Sequence, residues 1–144
     1  MCFGAKNNQY GKFYVPSSGN LAAVKLVRLH GYVSCFTWLH TSWSHWGCGI
    51  REMEDQLNVV ITTTANANCI LLPPSEFMIS ASGKWYKIRG CNDMSPELVL
   101  SFFSHPHSVN SSQELRLWYG EDLMGHREAD NDGRVCCDVY ALFV

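Results

Sequence analysis

Five carboxylates crowd into twelve positions of this chain: Glu121, Asp122, Glu128, Asp130 and Asp132, with the amide of Asn131 among them. They are five of the thirteen acidic residues in the protein. Carboxylates this close repel one another unless positive charge sits between them, and hard oxygen ligands are what Ca²⁺ prefers. His126 and Arg127 supply some of that charge from within the stretch, so a metal is not required. The plainer alternative is a solvated turn, because Asp, Asn and Gly favour turns for local backbone reasons. Gly120, Gly125 and Gly133 give the freedom that a ligand-wrapping loop needs. Trp118 and Tyr119 lead straight into it. An aromatic face stacks on the apolar face of a sugar ring, while acids and amides accept its hydroxyl hydrogens. A bound Ca²⁺ can take vicinal hydroxyls as further oxygen ligands. The pattern suits carbohydrate binding through calcium.

Two strands must hold this loop. Leu115, Leu117 and Tyr119 fall on one face of the segment before it, with Glu114, Arg116 and Trp118 on the other. After it, Val135, Cys137, Val139, Ala141 and Phe143 share a face opposite Arg134, Cys136, Asp138 and Tyr140. A period of two marks a half-buried strand. On this reading Tyr119 belongs to the core, and Trp118 either covers the outer sheet face or meets a ligand.

The chain has 144 residues, which fits one domain spanning residues 1–144 with a substantial core. A net charge of −2 and a charged fraction of 17% leave no basic patch, which argues against a nucleic-acid partner. No apolar run approaches the length of a membrane-spanning helix. The residues from Met1 to Asn8 show no basic segment followed by an apolar one, so no leader is visible. The expectation is a secreted, extracellular protein in its mature form, with a cytoplasmic location left open. Seven cysteines leave at least one thiol over if the others pair. Cys35 and Cys48, closing a short aromatic loop, are the expected disulfide in an extracellular setting.

Along the chain, Lys12–Val15 reads as a short strand stopped by the turn Pro16-Ser17-Ser18-Gly19. The runs 21–29 and 32–38, broken by His30-Gly31, read as a hairpin. The segment 40–49 is an aromatic loop in which His40 and His45 stand five apart, a spacing that favours packing over metal ligation. Residues 57–64 form a strand, Asn66-Ala67-Asn68 a turn, and 69–72 a strand ended by Pro73-Pro74. Residues 77–80 and 84–88 read as a second hairpin, and Glu97–Phe103 as a further strand. Eight to ten short antiparallel strands without a long helix indicate an all-β fold, a β-sandwich or jelly roll.

Catalytic signatures are weak. The chain has no GxSxG elbow, no glycine-rich phosphate motif and no CxxC. Glu121 and Glu128 could serve a hydrolase as a carboxylate pair, but clustered acids on one loop point there only faintly. A non-catalytic binding protein is the better fit.

The segments Trp118-Tyr119-Gly120-Glu121-Asp122-Leu123, Glu128-Ala129-Asp130-Asn131-Asp132-Gly133 and Cys136-Cys137-Asp138-Val139-Tyr140-Ala141 resemble secreted proteins of cnidarians and fish. Among these are galactose- and lactose-binding lectins of sea anemones. The likeness extends to Val33-Ser34-Cys35 and Trp43-Ser44-His45-Trp46-Gly47-Cys48, and so spans most of the chain. Separately, Asp130-Asn131-Asp132-Gly133 before a strand resembles the calcium loop of a bacterial galactose-binding β-sandwich lectin. That loop has an amide where Asp130 stands here. The resemblance implies a site made of Glu121, Asp122, Glu128, Asp130 and Asn131.

The sequence thus predicts a calcium-dependent lectin for galactosides. Glu121, Asp122, Glu128, Asp130 and Asn131 are the candidate oxygen ligands. Trp118, His126, Glu128, Asp130 and Asn131 are the candidate sugar contacts. A homo-oligomer is expected, because lectins gain avidity from multivalency. The rival is a structural or protein-interaction module in which Arg127 and Arg134 satisfy the acids.

Overall fold

A computed structural model of the chain describes residues 1–38, 42–64 and 69–144. Eleven strands are present among them: β1 (Cys2–Gly4), β2 (Gly11–Tyr14), β3 (Gly19–Ser34), β4 (Val59–Thr62), β5 (Ile70–Leu72), β6 (Met78–Ser80), β7 (Trp85–Tyr86), β8 (Glu97–Ser101), β9 (His107–Val109), β10 (Glu114–Tyr119) and β11 (Asp132–Phe143). One short helix, α1 (Gly120–Met124), follows β10 directly. All strand pairs are antiparallel.

Two sheets face each other as a β-sandwich. One runs β1-β11-β3-β8, with β9 also pairing β3, and the other runs β2-β10-β4-β5. Phe3, Leu26, Leu98, Leu100 and Val135 from the first sheet join Ile61, Leu72, Leu115 and Leu117 from the second in one core. The period of two in β10 holds: Leu115, Leu117 and Tyr119 are all buried. Strand β11 obeys it over its first half only, where Val135 and Cys137 are buried while Ala141 is exposed. Strands β6 and β7 form the expected hairpin as a small separate ribbon.

The hairpin expected around His30-Gly31 does not exist. Strand β3 runs unbroken through both positions and pairs with β11 along nearly its whole length. The two glycine-adjacent runs are one strand with a bulge: His30 pairs with Cys136 and Arg28 with Cys137, so Leu29 is the extra residue. Gly31 is there for close approach rather than for a turn. Its φ is +92°, and a Cβ at that position would sit 2.1 Å from the Arg134 carbonyl oxygen.

The aromatic loop after β3 is closed by the Cys35–Cys48 disulfide, as expected, and a second disulfide joins Cys2 to Cys136. His45 is buried with Nδ1 3.1 Å from the Ser95 carbonyl, and the Trp46 indole donates to that same oxygen at 2.7 Å. Packing rather than ligation accounts for His45. His40 and the turn Asn66-Ala67-Asn68 lie outside the described residues.

Candidate functional site

The stretch read as an acidic loop is two short turns of helix. α1 begins at Gly120, whose backbone N–H donates to the Asn58 carbonyl at 2.5 Å. A side chain at Gly120 would press on the Gly83 carbonyl and on Asn58, so only glycine lets the chain turn here. Asn58 is fully buried. Its amide donates to the Gly83 carbonyl at 2.7 Å, and its side-chain oxygen accepts the Glu121 N–H at 3.0 Å. Gly125 ends the helix in the left-handed conformation at φ +59°, and the His126 N–H reaches back to the Glu121 carbonyl. Arg127 is left-handed too, at φ +52°, and launches the 3₁₀ turn Glu128–Asp130. The Thr37 N–H bonds the Asp130 carbonyl at 2.9 Å, which ties this turn to the aromatic loop.

Between these turns and the aromatic loop lies a cavity of about 410 Å³. Glu121, His126, Arg127 and Asp130 form its polar side, and Phe36, Ile50, Met53 and Trp85 its apolar side. That volume falls in the range of small-molecule sites, roughly 300 to 1,000 Å³. Glu121 is 6% exposed. The Trp85 indole donates to Glu121 Oε2 at 3.2 Å, while Oε1 has no hydrogen-bond partner. Burial pushes the Glu121 carboxyl up to about 7, and Asp130 adds to the rise. The Trp85 indole and the Asn131 amide pull the other way, as does Arg127 more weakly. Asn131 is also buried. Its Nδ2 donates to the Ala5 carbonyl at 3.1 Å, and its Oδ1 has no partner.

The other two proposed ligands face elsewhere. Both oxygens of Asp122 are taken, by the N–H of Asn8 at 2.9 Å and of Gln9 at 3.0 Å. Glu128 lies against Asp122 and accepts the Asn7 N–H at 3.4 Å. Burial, followed by the shared hydrogen bond with Glu128, raises the Asp122 carboxyl to about 6. This pair clasps the turn after β1 and does not line the cavity. Trp118 does not line it either. Its ring packs on Tyr10 with centroids 4.6 Å apart, and it is 8% exposed, on the outer-face side of the alternatives the sequence allowed. The Arg116 guanidinium caps Tyr10 from beyond.

One solved structure places this arrangement. The fold superimposes on AJLec from the sea anemone Anthopleura japonica with a TM-score of 0.84. The two share 36% of residues over the whole of this chain and 92% of that one. The chain belongs to this sea anemone lectin family. Neither the models of protein families nor the curated proteins include a match.

Within this lectin fold, the residues around the cavity suit a hard cation in part. Glu121 and Asn131 each hold a buried oxygen without a partner; Glu121 and Asp130 line the cavity, whereas Asn131, next to Asp130 in the chain, is not part of its lining. All three offer oxygen, the donor that Ca²⁺ selects. Among the described residues no three His, Cys, Asp or Glu side chains gather into a complete metal-holding group. Two carboxylates and one amide would fall short of the roughly six to eight oxygens that Ca²⁺ takes. Trp85 is the residue that sequence reasoning missed. From the β6–β7 hairpin, 36 positions away, it holds Glu121 on α1, and no linear spacing signals that contact.

Proposed function

We propose that the protein is an extracellular lectin that binds galactosides through a calcium ion held in this cavity. Glu121, Asp130 and Asn131 hold the ion, and the remaining coordination positions go to water and to vicinal hydroxyls of the sugar. His126 and Arg127, on the same wall, supply hydrogen-bond donors to the sugar's other oxygens. The observation that carries this reading is the pair of unpartnered buried oxygens, Glu121 Oε1 and Asn131 Oδ1, beside a cavity in a sea anemone lectin fold. Buried polar atoms without partners are costly unless a ligand completes them. When bound, calcium would neutralise the crowded carboxylates and add a Lewis-acid contact to the sugar. Two disulfides fit an oxidising compartment. A homo-oligomer fits multivalent glycan surfaces, and Val99 on β8, Phe103 just past it, and Tyr140 and Leu142 on β11 are exposed for a self-contact.

Retention on lactose-coupled resin in calcium tests the assignment. Asp130→Ala and Glu121→Ala are expected to elute unretained while melting cooperatively. Full retention of either variant would refute the ligand set.

A further inference from the structure

A second cavity, of about 390 Å³, adjoins the first: Ile50 lines both. Trp43, Ser42, Asp93, Glu52 and Glu54 line it as well. Three features mark it as a built site. The Ser42 side chain is 1% exposed and its hydroxyl has no hydrogen-bond partner, so a group able to donate and accept stands unused at the cavity wall. Trp43 is 37% exposed, and its indole rests against the β11 backbone at Gly133, where an added Cβ would meet the ring at 2.8 Å. Asp93 is clasped on several sides. Its carbonyl accepts the N–H of His45 at 2.8 Å and of Trp46 at 3.1 Å, and its Oδ2 accepts the Gly49 N–H at 3.0 Å. The Cys35–Cys48 disulfide pins the same loop. A rigid, exposed indole beside hydrogen-bonding oxygens is sugar-binding chemistry. Three carboxylates against the single guanidinium of Arg51 leave the cavity negative and disfavour anionic sugars.

Resting on the lectin reading above, we propose that this cavity is a second subsite, which takes the sugar residue next to the terminal galactose. Trp43 stacks on that ring, and the Ser42 hydroxyl and the Asp93 carboxylate hydrogen-bond its hydroxyls. The ligand is then a neutral oligosaccharide rather than a lone monosaccharide.

Calorimetric titration of the full chain in calcium with galactose, with lactose, and with lactose sulfated on its glucose residue tests this. Lactose is expected to bind about tenfold tighter than galactose, and the sulfated form more weakly than lactose. Trp43→Ala should erase the lactose advantage and leave galactose affinity unchanged. Ser42→Ala, a change too small to threaten the fold, should erase part of it. Equal affinity for galactose and lactose, or a Trp43→Ala variant weakened equally for both, would overturn the subsite while sparing the lectin reading. Failure of all three sugars to bind would overturn both.

Discussion

Asp93 sits where a carboxylate is least comfortable. It is 3% exposed, and burial lifts its carboxyl from 3.8 to about 6, with Glu54 and Asp55 adding like charge. A carboxyl raised in the folded state stabilises the fold while protonated. That contribution is complete below its unfolded value and is lost as pH rises through about 6. Asp93→Asn keeps an oxygen for the Gly49 N–H and removes the ionisation. Denaturant unfolding at a series of pH values should therefore show the variant gaining stability relative to the parent between pH 4 and about 7. A constant difference across that range would refute the assignment. Glu121 was legible in the sequence as part of an acidic cluster, but its partnerless oxygen was not. Orphaned atoms depend on what the rest of the fold fails to bring, and residue types cannot show that.

At the scale of elements, the strands flanking the site were readable because each buries one face, and period two follows from that alone. The acidic stretch between them was misread as one loop. Consecutive residues of a helix diverge by about 100°, so α1 aims Glu121 at the cavity and Asp122 at the backbone of Asn8 and Gln9. One cluster in sequence becomes two sites in space. Strand β3 was misread for a related reason, since a glycine between two β-rich runs signals a turn and a bulge alike. Gly31→Ala discriminates the two. A turn would tolerate a Cβ in open space, whereas a continuous strand paired with β11 puts it 2.1 Å from the Arg134 carbonyl at φ +92°. Strain of this kind costs of order 1 to 3 kcal/mol. Chemical denaturation should show a loss on that scale, and unchanged stability would argue against the close β3–β11 pairing at Gly31.

For the whole molecule, the sandwich class followed from many short alternating segments and no helical period, and it holds. What the sequence did not yield is which distant pieces meet. Trp85 reaches Glu121, the turn after β1 reaches Asp122, and Cys2 reaches Cys136 across 134 positions. Each depends on which distant segments the chain topology brings together: Cys2 faces Cys136 as its partner across the β1–β11 pair, and Trp85 sits on the separate β6–β7 ribbon. The Cys2–Cys136 link ties β1 to the central β11, and replacing both residues by Ser should lower unfolding free energy by roughly 3 to 5 kcal/mol, the scale for a closed loop of that length. An unchanged denaturation midpoint would show that the link adds nothing to the fold. The cavity lies where α1, the 3₁₀ turn Glu128–Asp130, the β6–β7 hairpin and the disulfide-closed loop converge, so binding should depend on the intact fold rather than on any one loop.

Calorimetric titration of the purified protein with lactose, first in calcium and then in excess chelator, separates a calcium-dependent lectin from every alternative. Saturable binding is expected in calcium, to disappear in chelator and to return when calcium is restored. Binding that survives the chelator would contradict the calcium site, and absence of binding in calcium would contradict the galactoside lectin itself.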